Sequence, residues 1–138
     1  MAYWLLKSES EAWSWDQQKK KGDKGEPWSG VRNYQAANNM KAMTVGDRGF
    51  FYHSGEERSI VGIVEVIGGY RPDPTDESRR FGMVLVKAVR DLPKPVTLAE
   101  IKATPKLKDM ALVRASRLSV QPVQPEEWKL VCAMSGLK

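Results

Sequence analysis

The chain has 138 residues, 41% of them hydrophobic and five of them Trp, enough for one packed domain that buries about two-thirds of its unfolded surface and too apolar for intrinsic disorder. One Cys and one His exclude an internal disulfide and a structural zinc site, and no apolar run approaches the ~20 residues of a membrane span. Lys and Arg number 22 against 17 Asp and Glu, a net charge of +5 that favours an anionic partner without demanding one.

Tyr3 to Lys7 (YWLLK) is predicted as a short buried strand, ended by Ser8 and Glu9. Ser14 and Gln17 have the spacing of a capping box, so a short helix is expected to run to Lys20 and stop at Gly22. Lys20 to Gly25 reads as a polar loop. Trp28 to Asn39 (WSGVRNYQAANN) sets a large aromatic on a polar, Gly-containing bend directly before a helix capped by Asn33. Val31, Tyr34, Ala37, Met40 and Met43 recur every third residue and give that helix an apolar face. With the helix anchored by this face, the bend can offer the Trp28 ring to a flat, partly polar ligand such as a nucleobase. On this segment alone, a plain core aromatic is the weightier reading.

Val45-Gly46-Asp47 turns into a strand from Arg48 to Ser54, and Ser54 to Glu57 turns into a Val/Ile-rich strand from Ser59 to Ile67. Gly62 within it marks a bulge or a close approach by another group. Gly68, Gly69 and Arg71-Pro72-Asp73-Pro74 make a loop too rich in Gly and Pro for regular structure. Gly82 to Val89 is the next strand, and Pro93 and Pro95 are expected to break the chain after it. Thr97 and Glu100 cap a short helix that ends at Pro105. Leu118-Ser119-Val120 is expected as a short strand closed by Pro122. Pro125 opens a final helix on which Trp128, Val131 and Cys132 share a face. No long helix separates the middle strands, which disfavours βαβ winding. The fold class expected is α+β: a small curved mixed sheet closed into a barrel, with short peripheral helices, forming a single domain over residues 1–138.

The chain offers little to a catalyst. Cys132 lies on the buried-looking face of the last helix, so packing outweighs a His53–Cys132 nucleophile pair. Ser54 beside His53 is not a triad, no glycine pattern matches a phosphate or dinucleotide loop, and Glu56-Glu57 and Glu126-Glu127 read as solvated charge. No metal or cofactor is expected. His53 follows Phe50-Phe51-Tyr52 at a strand's end; it is either a satisfied structural histidine or a hydrogen-bonding group at a pocket rim. Lys19, Lys20, Lys21 and Lys24 form one basic cluster and Arg79 with Arg80 another, while Lys102, Lys106, Lys108, Arg114 and Arg117 line the last third. If such clusters converge on one face they track phosphates; scattered, they confer only solubility.

KSE at Lys7 to Glu9, WSGVRNYQAANN at Trp28 to Asn39, FYHS at Phe51 to Ser54, Pro72-Asp73-Pro74-Thr75, SRLSVQP at Ser116 to Pro122 and PEEW at Pro125 to Trp128 occur in this order. Together they make the chain closely resemble the EVE domain family, of the thymocyte nuclear protein type, from about Tyr3 to Met134. The resemblance implies a PUA-like fold, a mixed β pseudo-barrel with peripheral helices related to the YTH readers of methylated RNA bases. It also implies a non-catalytic reader of modified bases in DNA or RNA. Carried over by position, Trp28 is the aromatic wall, Ser29 supplies neighbouring backbone contacts and Asn33 touches the base edge. Lys7 and Ser8 lie beside that bend, and His53, Ser54, Leu118 and Ser119 line the rest. The chain departs from the family pattern at Ser10, where proline is usual, at Ala115, often glutamine, and at Gln124, usually threonine.

The expected partner is thus nucleic acid carrying a modified base, bound by a cytoplasmic monomer that does not engage membranes. Two other readings stand beside it. One is a small-molecule sensor or unassigned enzyme that takes an anion beside Lys7 or His53. The other is an interaction module whose aromatic surface docks a protein.

Overall fold

In the computed structural model, which describes residues 1–137, the YWLLK run is a strand because both of its faces are buried. Trp4 and Leu6 enter one apolar core and Leu5 the other, the double burial that a continuous apolar run permits. Phe51 divides in the same way from Phe50 and Tyr52 on the neighbouring strand. Six strands, β1 (Tyr3–Glu9), β2 (Glu26–Trp28), β3 (Arg48–Ser54), β4 (Ser59–Pro72), β5 (Gly82–Thr97) and β6 (Val120–Val123), form one mixed sheet in the order β2-β5-β4-β3-β1-β6. β1 runs parallel to β3 and antiparallel to β6. Helices α1 (Trp15–Lys20), α2 (Tyr34–Ala42), α3 (Leu98–Lys102), α4 (Ala111–Arg114) and α5 (Pro125–Met134) surround it. The fold is α+β, with a curved mixed sheet and short peripheral helices.

The caps read from the sequence form. Gln17 N–H donates to Ser14 Oγ while the Ser14 amide donates to Gln17 Oε1, and Thr97 with Glu100 repeats the exchange at α3. Asn33 Oδ1 accepts from the Ala36 amide at 2.9 Å and starts α2.

Proline and glycine were read too strongly as breakers. β4 continues through Gly68, Gly69 and Pro72, and β5 through Pro93 and Pro95. Both strands absorb these residues in bulges: opposite Ile60 and Gly62 stand Val96 and Asp91, so the two prolines fall where the ladder is already interrupted. Pro122 likewise sits inside β6, which is an edge strand, so the last strand lies two residues later than expected. β2 and α4 were not foreseen; each has four residues or fewer, too short for a periodic signal. On α2 the buried residues are Ala36, Ala37 and Met40, whereas Tyr34 is 60% exposed and packs on Phe81.

Gly62 carries the close approach its position implied. A Cβ there would lie 2.1 Å from the ring of Trp15, a buried side chain whose indole N–H donates to Asp91 at 2.6 Å. The ring cannot retreat without breaking that bond. Gly62→Ala is therefore expected to cost ~1–3 kcal/mol by overpacking. Urea unfolding followed by Trp fluorescence checks it; an unchanged midpoint would mean that α1 is free to shift off the sheet.

Candidate functional site

The bend after Trp28 is held by a carboxylate from the other side of the sequence. Gly30 has φ +82°, the left-handed backbone that a side chain disfavours, and its amide donates to Asp73 Oδ2 at 2.8 Å. Arg32 Nη1 reaches the same oxygen at 3.2 Å, and Arg32 Nη2 donates to Thr75 Oγ1 at 3.0 Å. The Thr75 amide and hydroxyl donate to Asp73 Oδ1 at 2.8 and 2.6 Å. Burial pushes the Asp73 carboxyl upward, but these donors outweigh it and hold its pKa at about 2. The side chain of Asp73 is fully buried, so the ionised carboxylate is a structural clamp on residues 30–32.

Against this clamped bend opens a cavity of about 400 Å³, within the range of small-ligand sites. Trp28, Ser29, Gly30 and Arg32 form one part of its lining; Lys7, Ser8 and Ser119 form another; Ala12 and Trp13 close a third side. Trp28 is 7% exposed and meets Phe51 edge-on, with ring centroids 5.6 Å apart. It is both a core aromatic and a cavity wall, so the two readings of the sequence were not exclusive.

Trp13 was missed. It belongs to the loop before α1, half-buried, with its indole N–H donating to Gln18 Oε1 at 2.9 Å. Gln18 is fully buried and passes the chain on to the Val86 carbonyl. From behind, Ser8 Oγ donates to the Trp13 carbonyl at 2.6 Å, and the Trp15 amide donates to His53 Nε2 at 3.0 Å. The available signal was the W-x-W spacing around the Ser14 cap: Trp15 enters the helix and the core, leaving Trp13 on the loop. Ser119 is fixed similarly, since its carbonyl accepts from the Lys7 amide at 2.8 Å. The loop before it is braced by Gln121, whose Nε2 donates to the carbonyls of Ala115 and Leu118.

Of the residues expected at the site, Lys7, Ser8, Trp28, Ser29 and Ser119 line this cavity. His53, Ser54, Asn33 and Leu118 do not. His53 is buried with Nε2 on the Trp15 amide and Nδ1 on Glu57, so it is the structural histidine and supports the Trp13 loop from below. Asn33 spends its side-chain oxygen on the helix cap and borders a separate shallow depression with Gln35 and Arg117. Leu118 packs into the core, and Ser54 faces a different cleft. Among the phosphate candidates, Lys19 is bridged to Asp91 at 2.9 Å and Asp16 at 3.5 Å, Lys21 to Glu26 at 3.4 Å and Arg114 to Asp109 at 3.1 Å. Lys20 is exposed, and Arg117 borders the Asn33 depression. Among the described residues, no three of His, Cys, Asp and Glu gather as metal ligands, and no helix is long and apolar enough to cross a membrane.

The EVE domain model matches residues 2–134. Thymocyte nuclear protein 1 of Gallus gallus is 35% identical in an alignment covering 99% of this chain and 69% of that protein. The crystal structure of a protein from Agrobacterium tumefaciens superposes with a TM-score of 0.96 at 55% identity, covering 99% of this chain and 94% of that one. Human THYN1, crystallised in complex with 5-methylcytosine containing DNA, superposes with a TM-score of 0.92 at 31% identity, covering 100% of this chain and 99% of that one. A YTH domain from Zygosaccharomyces rouxii shares the fold at a TM-score of 0.59 and 18% identity.

Proposed function

Since the chain belongs to the EVE domain family, we propose that it is a non-catalytic module that takes a modified base of nucleic acid into the cavity lined by Trp28 and Trp13. The observation that carries this reading is the cavity itself: a solvent-open space of about 400 Å³ with two tryptophans, two cations, three serines and one carboxylate, the Lys21-paired Glu26, in its lining. That human THYN1 binds DNA containing 5-methylcytosine on the same fold supports it.

A base stacked on an aromatic gains ~1–3 kcal/mol, comparable to the cost of extruding it from a duplex. Affinity for a lone base is therefore modest. A methyl group adds only ~0.8 kcal/mol by burial, so preference above about tenfold must come from the shape of the cavity and from polar groups left unpaired by the wrong base. Ser8, Ser29 and Ser119 are the hydroxyl-bearing residues of the lining available for this. Catalysis is disfavoured because the one histidine has both ring nitrogens engaged within the fold.

Titration of the chain against a panel of methylated and plain nucleosides, and the same bases in short DNA and RNA, tests the reading. One modified base should bind at least several-fold better than its parent. Equal binding across the panel overturns base reading, and salt-independent binding of a small anion would transfer the cavity to a small-molecule sensor.

A further inference from the structure

We propose that a second cleft, formed by Lys7, Arg58 and Lys102, holds the phosphodiester next to the inserted base. This assignment rests on the base-reading function and supplies its backbone contact. The cleft has a volume of about 310 Å³ and also takes in Tyr52, Ser54 and Ser116. Lys7 lines both this cleft and the Trp28 cavity, so the two adjoin along one side chain.

Three elements far apart in sequence bring the cations together: the end of β1, the turn between β3 and β4, and the end of α3. No carboxylate lines the cleft. Among the described residues, none of the three cations lies within ion-pair distance of Asp or Glu, whereas Lys19, Lys21 and Arg114 are all paired. Arg58 adopts φ +42° and its Nε donates to the Gly55 carbonyl at 3.2 Å, which ties the guanidinium to its own turn and leaves its terminal nitrogens for an outside acceptor. Lys7 is half-buried, donates to the Ser116 carbonyl and has its pKa lowered by burial. A partly desolvated cation without a counter-ion gains from an incoming anion. An arginine fork, two ammonium groups and two serine hydroxyls match a phosphate, which offers several acceptor oxygens at once.

The convergence test posed by the sequence thus has an answer in different residues. Of the first lysine cluster, Lys19 and Lys21 are paired with carboxylates, whereas Lys7, Arg58 and Lys102 converge beside the aromatic cavity on a cleft that no carboxylate lines.

Binding of a short DNA carrying 5-methylcytosine, its unmethylated form and free 5-methyl-2′-deoxycytidine should be measured at several salt concentrations for wild type, Lys102→Ala, and Arg58→Ala with Lys102→Ala. Both side chains are exposed, so the variants should melt as wild type does. The slope of log affinity against log salt should shrink by about one unit in the single variant and about two in the double. Nucleoside affinity should stay within twofold, and replacing the paired Lys19 and Lys21 by Ala should leave the slope unchanged. Inorganic phosphate should shift the amide resonances of Ser54, Gly55 and Ser116 in wild type and not in the double variant. An unaltered slope in the double variant overturns the cleft assignment even if the methylated base is preferred. Equal affinity for both DNAs with the slope still reduced overturns base reading alone, and a wild type that binds neither DNA at low salt overturns both.

Discussion

Trp28→Ala should lower stability by ~3–5 kcal/mol, the cost of emptying a buried aromatic site, and should lower affinity for the preferred base by ~1–3 kcal/mol in whatever fraction remains folded. The sequence left two readings of this residue open, a core aromatic and a cavity wall. Both apply, because the ring that lines the cavity also packs edge-on against Phe51 within the core. Trp28→Phe separates the two effects: it keeps an aromatic in the core and a smaller stacking face at the cavity. It should lose less stability than the alanine variant while still weakening the base. Urea unfolding and nucleoside titration of both variants give the result. Wild-type affinity in a folded Trp28→Ala protein would remove the aromatic wall from the site.

Asp73→Asn is expected to destabilise by about 2–3 kcal/mol at pH 7, and Asp73→Ala by about 3–5 kcal/mol. The first figure follows from the depressed pKa of about 2 against an ordinary carboxylate near 4, at 1.36 kcal/mol per unit. The second adds the loss of acceptors for the Gly30 and Thr75 amides. The sign in pH is fixed by the direction of the shift. A carboxylate whose pKa is lowered by folding contributes fully above the unfolded value, and that contribution fades as pH falls from about 4 to about 2. The stability gap between wild type and Asp73→Asn should therefore be constant from pH 7 to 5 and close towards pH 2. A gap that does not narrow would mean that Asp73 acts through shape and not charge. Since the same carboxylate clamps the bend beside Trp28, base affinity should fall as well, through loss of preorganisation.

Local rules read from the sequence held where the chain decides its own conformation. The caps at Ser14, Asn33 and Thr97 and the strand from Arg48 to Ser54 needed only neighbouring residues, and the structure places them as read. The rules failed where another strand pays for an exception. Pro93, Pro95 and Pro122 are tolerated because a bulge and a sheet edge remove the need for their amides. The site divides in the same way. Lys7, Ser8, Trp28, Ser29 and Ser119 were legible through the family resemblance. Trp13, Arg32 and Asp73 were not, because their roles are contacts across the fold: Asp73 reaches Gly30, and Trp13 hangs from Ser8. His53 had two readings, a structural histidine and a group at a pocket rim, and its contacts match the first: Trp15 and Glu57 occupy its nitrogens.

The position of Ser119 in the chain has a consequence for protein synthesis. All five other strands precede the segment Leu118–Gln121, and that segment brings both the Ser119 wall and the Gln121 brace. During translation, the two tryptophans and Lys7 leave the ribosome long before the residue that completes their cavity. On a nascent chain the proposed base cavity is thus incomplete until β6 docks beside β1.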